Sequence, residues 1–407
     1  MRVLIIHQSF VDPGHPGGTR HFELARCLVA AGHEVTIIAS NVDYLTGTKI
    51  VDTKGGYVEQ WLDGIRVLRA YTYPSLHKSY RWRVVSFLTF MVSSFYTAVR
   101  CGPVDVIMGT SPPLFQLASA YLAALLRRRP FLLEIRDLWP EFAIDLGVLK
   151  NPLAIRAARW VEHFFYARAK HIVVNSPAYR DYLIEHGVAD ERIDVIPNGV
   201  DTRMFPKTNG DRSLLADWGI VGKYVATYSG ALGPANDIPT ILGAAAKLRE
   251  HDDIHFLIVG DGKDRQQLAV QARDAGLHNV TFAGAIPKSR MSAVLAASDC
   301  CLATLKNIPM FRTTYPNKVF DYMAAAKPTV LGIDGVIREV VESACGGIFV
   351  PPGDERALAD AILRLHDSPA EARQMGIAAR NYVEQHFERR IQGDRLEILL
   401  KKLMGPK

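Results

Sequence analysis

Cysteine is scarce in this sequence and carries no pattern: Cys27, Cys101, Cys300, Cys301 and Cys345 are the whole set. The number is odd and no Cys-x-x-Cys spacing occurs, so a reduced compartment fits better than a disulfide framework. Long apolar runs are missing as well. No stretch reaches the ~18 uncharged apolar residues expected of a spanning helix. No signal peptide is expected before the first strand, Val3–Ile6. The loop after that strand lacks the G-x-G-x-x-G dinucleotide fingerprint, since Gly14-His-Pro-Gly17 has the wrong spacing. No Asp-x-Asp pair stands at the end of an expected strand, so neither metal nor cofactor is expected. A strong charge bias is absent too. The net charge is +6 with pI near 9.0, which favours an anionic ligand or surface but is small for a nucleic-acid binder. There is no short-period repeat of the solenoid kind.

What is present is apolar, ordered and long enough for two cores. The chain has 407 residues, 48% hydrophobic and 22% charged, which predicts a globular protein of two domains. Buried strands alternate with helices from the start. Arg2–His7 is a strand, a helix runs from about His21 to Ala31, and Val35–Ser40 is the next strand, a βαβ unit of parallel type. Asp63-Gly64 marks a hairpin turn between two strands within Tyr57–Ala70. The alternation resumes after Pro197-Asn-Gly-Val-Asp201, a turn-rich hinge. The expected fold class is α/β, with domains at 1–197 and 198–385. A final helix of about 386–407 is expected to pack back on the first domain.

Three places carry chemistry. The first is Thr314–Pro328. A helix is expected to start near Asn317, after Pro316. Its free N–H groups and partial positive charge suit an anion such as a diphosphate. Lys318 adds a full charge there. Asp321, one turn in, offers an acceptor-only carboxylate for a ribose diol. Lys318 and Asp321 are equally what an ordinary surface helix carries. The second is Gly17-Gly18, between the first strand and first helix, where backbone can approach a ligand closely; a flexible connection has the same composition. The third is Arg136-Asp-Leu-Trp-Pro-Glu141, where charges emerge at the end of the strand Phe131–Ile135. Arg136 and Asp137 also suit a structural ion pair.

Segment 76–100 joins basic and aromatic residues, Arg81 and Trp82 among them, to an apolar run from Val84 to Val99. It reads either as an interfacial anchor or as a core-facing helix. Arg127-Arg128-Arg129 reads either as a lipid-facing run or as a solvated helix end favoured by the helix dipole.

The order and spacing of several motifs resemble retaining glycosyltransferases of family 4, which have the GT-B fold of two Rossmann-like doubly wound domains facing across a cleft. Those motifs are Pro197-Asn-Gly-Val-Asp201, Val259-Gly-Asp-Gly262, Phe282-Ala-Gly-Ala-Ile286, Pro316-Asn-Lys-Val-Phe-Asp-Tyr-Met-Ala and Val350-Pro-Pro-Gly-Asp354. Glu134-Ile-Arg-Asp-Leu-Trp-Pro140 and Ser229-Gly-Ala-Leu-Gly-Pro-Ala-Asn236 are similar to bacterial enzymes of O-antigen, lipopolysaccharide, capsule or exopolysaccharide synthesis. The resemblance implies a nucleotide-sugar donor, most often a UDP-sugar such as an N-acetylated hexosamine, bound by the second domain. The base would meet backbone around Ile286 and the ribose would meet Asp321. The diphosphate would meet Asn317, Lys318 and the N–H groups of Gly17, Gly18, Gly230 and Gly233. Lys318 and these donors would stabilise the departing diphosphate without a metal. Asp137 would orient a sugar, and Arg136 would contact phosphate.

The sequence departs from the family pattern in places. Many members carry two carboxylates eight positions apart; here the first position is Thr313, and the second is Asp321 in place of the usual Glu. Arg and Lys after the first strand of the second domain are absent, so Lys318 and Arg312 are expected to supply charge. Arg136 stands where a His is often found. The implied acceptor is a lipid-linked sugar or other saccharide, met at the cytoplasmic face of the inner membrane. The competing readings are a sugar-nucleotide epimerase of the same architecture and a non-catalytic nucleotide-sugar sensor.

Overall fold

A computed structural model of the chain describes residues 1–43, 47–53, 56–74, 80–206 and 211–405, the side chains of Tyr80 and Arg81 excepted. Arg81 as an anchor, and residues 76–79 of the anchor segment, therefore lie outside the described residues. The chain divides into two units. Met1–Asp12, Thr19–Pro197 and Arg390–Lys407 form the first, and Pro13–Gly18 with Asn198–Arg389 the second.

In the first unit the strands are β1 (Arg2–Ile6), β2 (Glu34–Ser40), β3 (Tyr57–Leu62), β4 (Ile65–Ala70), β5 (Val106–Ser111), β6 (Phe131–Ile135), β7 (His171–Val174) and β8 (Ile193–Val195). They lie in the order β3-β4-β2-β1-β5-β6-β7-β8. Only β3–β4 is antiparallel, with Asp63 and Gly64 both at positive φ in the turn. Positive φ at both positions is what a two-residue hairpin loop of this twist needs. Val3 lies level with Val35 on one side and Val106 on the other, so the central strands are buried on both faces and read as continuous apolar runs. Strand order runs outward from β1 and β5 in opposite directions, which puts the topological switch point between them.

Helices α1 (Arg20–Ala30), α2 (Tyr80–Arg100), α3 (Phe115–Arg127), α4 (Glu141–Asp145), α5 (Pro152–Arg168) and α6 (Pro177–Glu185) complete this part of the unit. Asn151 caps α5 by accepting from the Leu153 and Ala154 N–H groups, with Pro152 in the first turn, a strong start signal.

The second unit repeats the scheme with β9 (Tyr224–Ser229), β10 (Ile254–Val259), β11 (Val280–Gly284), β12 (Cys300–Thr304), β13 (Thr329–Gly332) and β14 (Gly347–Phe349). The order is β11-β10-β9-β12-β13-β14, all parallel, and its switch point lies between β9 and β12. The helices are α7 (Ile238–Lys247), α8 (Arg265–Asp274), α9 (Lys288–Ala297), α10 (Asn317–Ala324), α11 (Val336–Ser343), α12 (Glu355–Asp367) and α13 (Pro369–His386). The last helix, α14 (Arg389–Met404), returns to the first unit. Its Leu396, Leu399, Leu400 and Leu403 join Val3, Ile5 and Val35 in one core. Gly393 lets it approach α1, since a Cβ there would lie 2.5 Å from Cys27 Cβ.

One expectation needs correction. Residues 13–18 do not stay with the first 197 residues. The Ser289 N–H donates to Pro13 O (3.0 Å) and the Lys288 N–H to His15 O (3.3 Å), so the first N–H groups of α9, which lack partners inside the helix, recruit the loop. The apolar run keeps its expected bounds, Val84 to Val99, inside α2. With Arg83 and Arg100 included, Trp82–Arg100 is long and apolar enough to cross a membrane by length and composition alone, with 28% of the span buried. Hydroxyls along it are bonded within the unit. Thr97 donates to Ser93 O (2.8 Å) and Ser94 to Ser119 Oγ of α3 (2.9 Å).

Candidate active site

In the second unit the chemistry gathers where β9 ends and α10 begins. Pro316 precedes α10 with extended backbone and no side-chain cap, and while the Val319 N–H donates to Pro316 O (3.2 Å), the Asn317 and Lys318 N–H groups have no acceptor within the helix. Two tethers fix the helix. Tyr322 Oη accepts from the Ser229 N–H (2.8 Å) and donates to Leu302 O (3.1 Å), and Asn198 Nδ2 donates to Tyr315 O (2.7 Å). Lys318 then lies over the Tyr228 ring, 4.0 Å from its centroid. Its Nζ donates to Tyr228 Oη (2.7 Å) and Asn236 Oδ1 (3.1 Å). Gly230 makes room: its φ is +150°, and a Cβ there would sit 2.9 Å from Lys318 Nζ. The Lys318 side chain keeps part of its surface, but the amine end is enclosed, and this burial lowers it to about 7. Without a ligand its charge is therefore only partly held at neutral pH.

Asp321 is nearly buried and forms an ion pair with Lys288, the first residue of α9. Lys288 was not singled out in the sequence, because its partner is distant in the chain and no periodicity links them. Its one signal is a basic residue opening a helix after the Ala-Ile-Pro end of β11. Gly18 stands beside Asn317, with a Cβ predicted by geometry to lie 3.6 Å from Asn317 Nδ2. Gly17 has φ +137°. Ile286 packs half-buried against the core cluster that holds Leu257, Val259 and Val294. Gly233 lies in the loop after β9, near Asn236, whose N–H donates to its carbonyl (3.0 Å). Arg312 does not supply charge here. It is exposed and faces Asp334 at 3.8 Å, because its 3-10 turn, Pro309–Thr313, directs it to a nearer carboxylate.

The first unit has its own polar centre at the ends of β1, β5, β6 and β7. Glu134, fully buried on β6, accepts from Arg20 Nε (3.0 Å) and contacts His21 Nε2 (2.5 Å). Arg20 also donates to Ile196 O and Pro197 O, each at 2.7 Å. Burial raises Glu134, but His21 and Arg20 outweigh it and hold the carboxyl well below the usual range. Burial lowers His21 despite Glu134, and facing an ionised carboxylate its Nε2–H is the donor.

Arg136 is half-buried and donates to Pro112 O (3.0 Å). Among the described residues no ion pair joins it to Asp137. Asp137 is exposed at its surface but crowded, and desolvation pushes it up to about 6 against the pull of Arg136.

Two outer helices of this unit bury hydroxyls among their apolar contacts and expose large apolar side chains. Ser86, Ser94, Thr97 and Ser119 are buried, while Leu88, Val92, Tyr96 and Val99 of α2 and Leu122, Leu125 and Leu126 of α3 are exposed. The two helices run side by side in the same direction: Phe87 stacks on Phe115, and Arg127 donates to Val99 O (2.6 Å) and Gly102 O (2.7 Å). Arg127 is therefore a tether between helix ends, which corrects its expected role as a free lipid-facing charge. Arg128 caps α3 in the left-handed region at φ 53° and is exposed, as is Arg129. Trp82 is exposed, with its ring stacked on Tyr73 at 5.2 Å.

Two doubly wound units, each with a polar centre at strand C-terminal ends, define the two-domain fold of the GT-B class. Residues 17–199 match the family described as "Glycosyl transferase 4-like domain", and residues 223–368 match "Glycosyl transferases group 1". The chain belongs to glycosyltransferase family 4 and is a transferase. It is 26% identical to the "Putative colanic acid biosynthesis glycosyl transferase WcaI" of Escherichia coli, over 70% of this chain and 72% of that one. It is 27% identical to the "GDP-mannose-dependent alpha-mannosyltransferase" of Mycolicibacterium smegmatis, over 94% of this chain and 92% of that one. Among solved structures, Anabaena Alr3699/HepE in complex with UDP and glucose superposes with a TM-score of 0.74 at 19% identity, covering 98% of both chains. At that identity the likeness shows the fold.

Proposed function

We propose that this transferase moves a sugar from a nucleotide diphosphate donor, a UDP-sugar, to a lipid-linked saccharide in bacterial surface polysaccharide synthesis, with retention of configuration. The observation that carries the donor site is Lys318 at the start of α10, beneath the Gly230 turn and one helical turn from the Lys288–Asp321 pair. Two amines, a helix N-terminus and glycine-rich turns form a cradle for a diphosphate. A ribose diol would compete with Lys288 for Asp321. In the reaction the bond from the sugar C1 to the diphosphate oxygen breaks as the acceptor oxygen bonds to C1 on the same face. The acceptor proton passes to the leaving diphosphate. Lys318 and the backbone donors stabilise the charge developing there. Asp137 orients the reacting sugar, and Arg136 adds positive charge. The likeness to WcaI supports polysaccharide synthesis. HepE supports UDP as the nucleotide, and the M. smegmatis relative makes GDP the second candidate.

A thermal-shift panel of UDP, GDP, TDP and ADP, with and without EDTA, tests the donor site. A nucleotide at ~100 times its Kd adds about 2.7 kcal/mol. Selective stabilisation by UDP, unchanged by EDTA, is expected. A response to GDP alone redirects the donor, and no response to any nucleotide removes the site.

The exposed stripes of α2 and α3, with Arg100, Arg128 and Arg129 at their shared end, support docking on an anionic lipid surface. Apolar area supplies insertion, and each Arg near the surface adds about 1 kcal/mol. In flotation with anionic vesicles at low salt the protein should rise with the lipid, and Leu125→Glu/Leu126→Glu should stay at the bottom. Equal flotation of both proteins would count against this face.

A further inference from the structure

We infer that the end of β1 in the first unit is a saccharide-hydroxyl subsite in which the His7 ring accepts a hydrogen bond from the acceptor. The inference rests on the transferase reading above and names the group that receives the acceptor in it. His7 follows β1 directly, at the switch point between β1 and β5, where doubly wound sheets bind ligands. It is 2% exposed, and neither ring nitrogen has a hydrogen-bond partner. A buried polar group without a partner costs about 1–3 kcal/mol, so an imidazole with two such nitrogens calls for a partner that the protein does not supply.

The same strand ends hold other buried orphans. Gln8 Oε1 is unpartnered, while the Gln8 N–H donates to Gln116 Oε1 (2.7 Å). Asn175 Oδ1 is unpartnered, while Asn175 Nδ2 donates to Arg136 O (3.0 Å), which fixes the orientation of the amide. Arg136 Nε is a free buried donor. The set thus offers both acceptors and donors, since the neutral His7 ring and the Gln8 amide each carry both kinds. A phosphate oxygen only accepts and would leave the Asn175 oxygen unpaired. A sugar hydroxyl donates and accepts, and fits.

His7 is also supported from behind. Its ring centroid lies 4.1 Å from that of His21, which Glu134 and α1 hold in place. Burial first, then the nearby His21 and Arg136, lower His7 well below its ordinary value. The ring is therefore neutral and keeps a lone pair for a hydroxyl.

The test reads the His7 imidazole directly, by nitrogen-15 NMR of histidine-labelled full-length protein with UDP present. His7 is assigned by loss of its signal in His7→Phe. Glucose, galactose, mannose and N-acetylglucosamine are the probes, each taken to about 100 mM, roughly a hundredfold above a millimolar Kd. At least one should shift the His7 ring signals saturably. The UDP-induced thermal shift should be equal in wild type and His7→Phe, and His7→Gln, which restores an acceptor, should recover more transfer than His7→Phe. If no sugar moves the His7 signals, the orphan nitrogens face only water and the inference falls. If UDP alone moves them and His7→Phe loses the UDP shift, His7 belongs to the donor site and the inference also falls. Loss of the UDP shift in wild type would instead strike the transferase reading itself.

Discussion

Lys318→Gln should abolish the stabilisation by UDP and lower transfer by roughly 10²–10³-fold, the range for removing one preorganised donor from a developing oxyanion. The amine is enclosed by Tyr228, Asn236 and the Gly230 turn, so no other side chain can move into its place. Burial lowers Lys318 to about 7, which adds a pH signature. Above pH 7 the free protein holds Lys318 mostly neutral, and a diphosphate must draw a proton back to it. UDP affinity should therefore fall as pH rises above 7, by up to about tenfold per unit. In Lys318→Gln that slope should vanish.

Stability runs the other way. The amine is easier to protonate in the unfolded chain than in the folded one. Wild type therefore loses stability as pH falls from the ordinary lysine range towards 7, and the Gln variant does not. A folded, UDP-blind variant at pH 7 is the expected result, and an unchanged UDP shift would remove Lys318 from the site. Asp137→Asn under the same assays should keep the UDP shift and lose transfer; full transfer would take Asp137 out of the reaction.

The fold was legible because parallel sheets bury both faces. Val3-Leu-Ile-Ile6 and Ile254–Val259 read as strands wherever they occur, and the intervening helices follow from spacing. Lys318 and Asp321 were legible for a related reason: a Pro-started helix after a buried strand has only one end to offer. What the sequence hid were pairings made by the fold. Asp321 finds Lys288, and His7 finds no partner, through contacts between elements far apart in the chain. Arg312 looked available but turns to Asp334. Arg127 looked like a surface charge but binds the carbonyls at the end of α2. Helix α2 hides a further pairing, since Ser86, Ser94 and Thr97 are buried while Leu88, Val92, Tyr96 and Val99 are exposed. Short helix α11 went unread: eight residues give little more than two turns of periodicity, too few to separate from a loop.

Glu134→Gln should destabilise the first unit by about 3–5 kcal/mol, because it removes the buried carboxylate that pairs with the buried Arg20 charge. Glu134 is 0% exposed and Arg20 4%, so water cannot compensate. Arg20 also ties α1 to Ile196 O and Pro197 O, and the loss should reach the exit of the first unit. A melting temperature lower by roughly 10 °C is expected. The pH dependence identifies the cause. Glu134 titrates lower in the folded than in the unfolded protein, so its contribution is complete above the ordinary carboxylate range. It is lost progressively as pH falls below about 4.5. Between pH 7 and pH 3 the wild-type curve should therefore converge towards that of Glu134→Gln, which lacks this titration. A double replacement, Arg20→Met/Glu134→Met, should recover much of the stability, as apolar groups often do in place of a buried ion pair. Equal melting temperatures for wild type and Glu134→Gln at pH 7 would mean that the Arg20 charge is satisfied by its other partners, the Ile196 and Pro197 carbonyls among them. Glu134 would then act only to hold His21 behind His7.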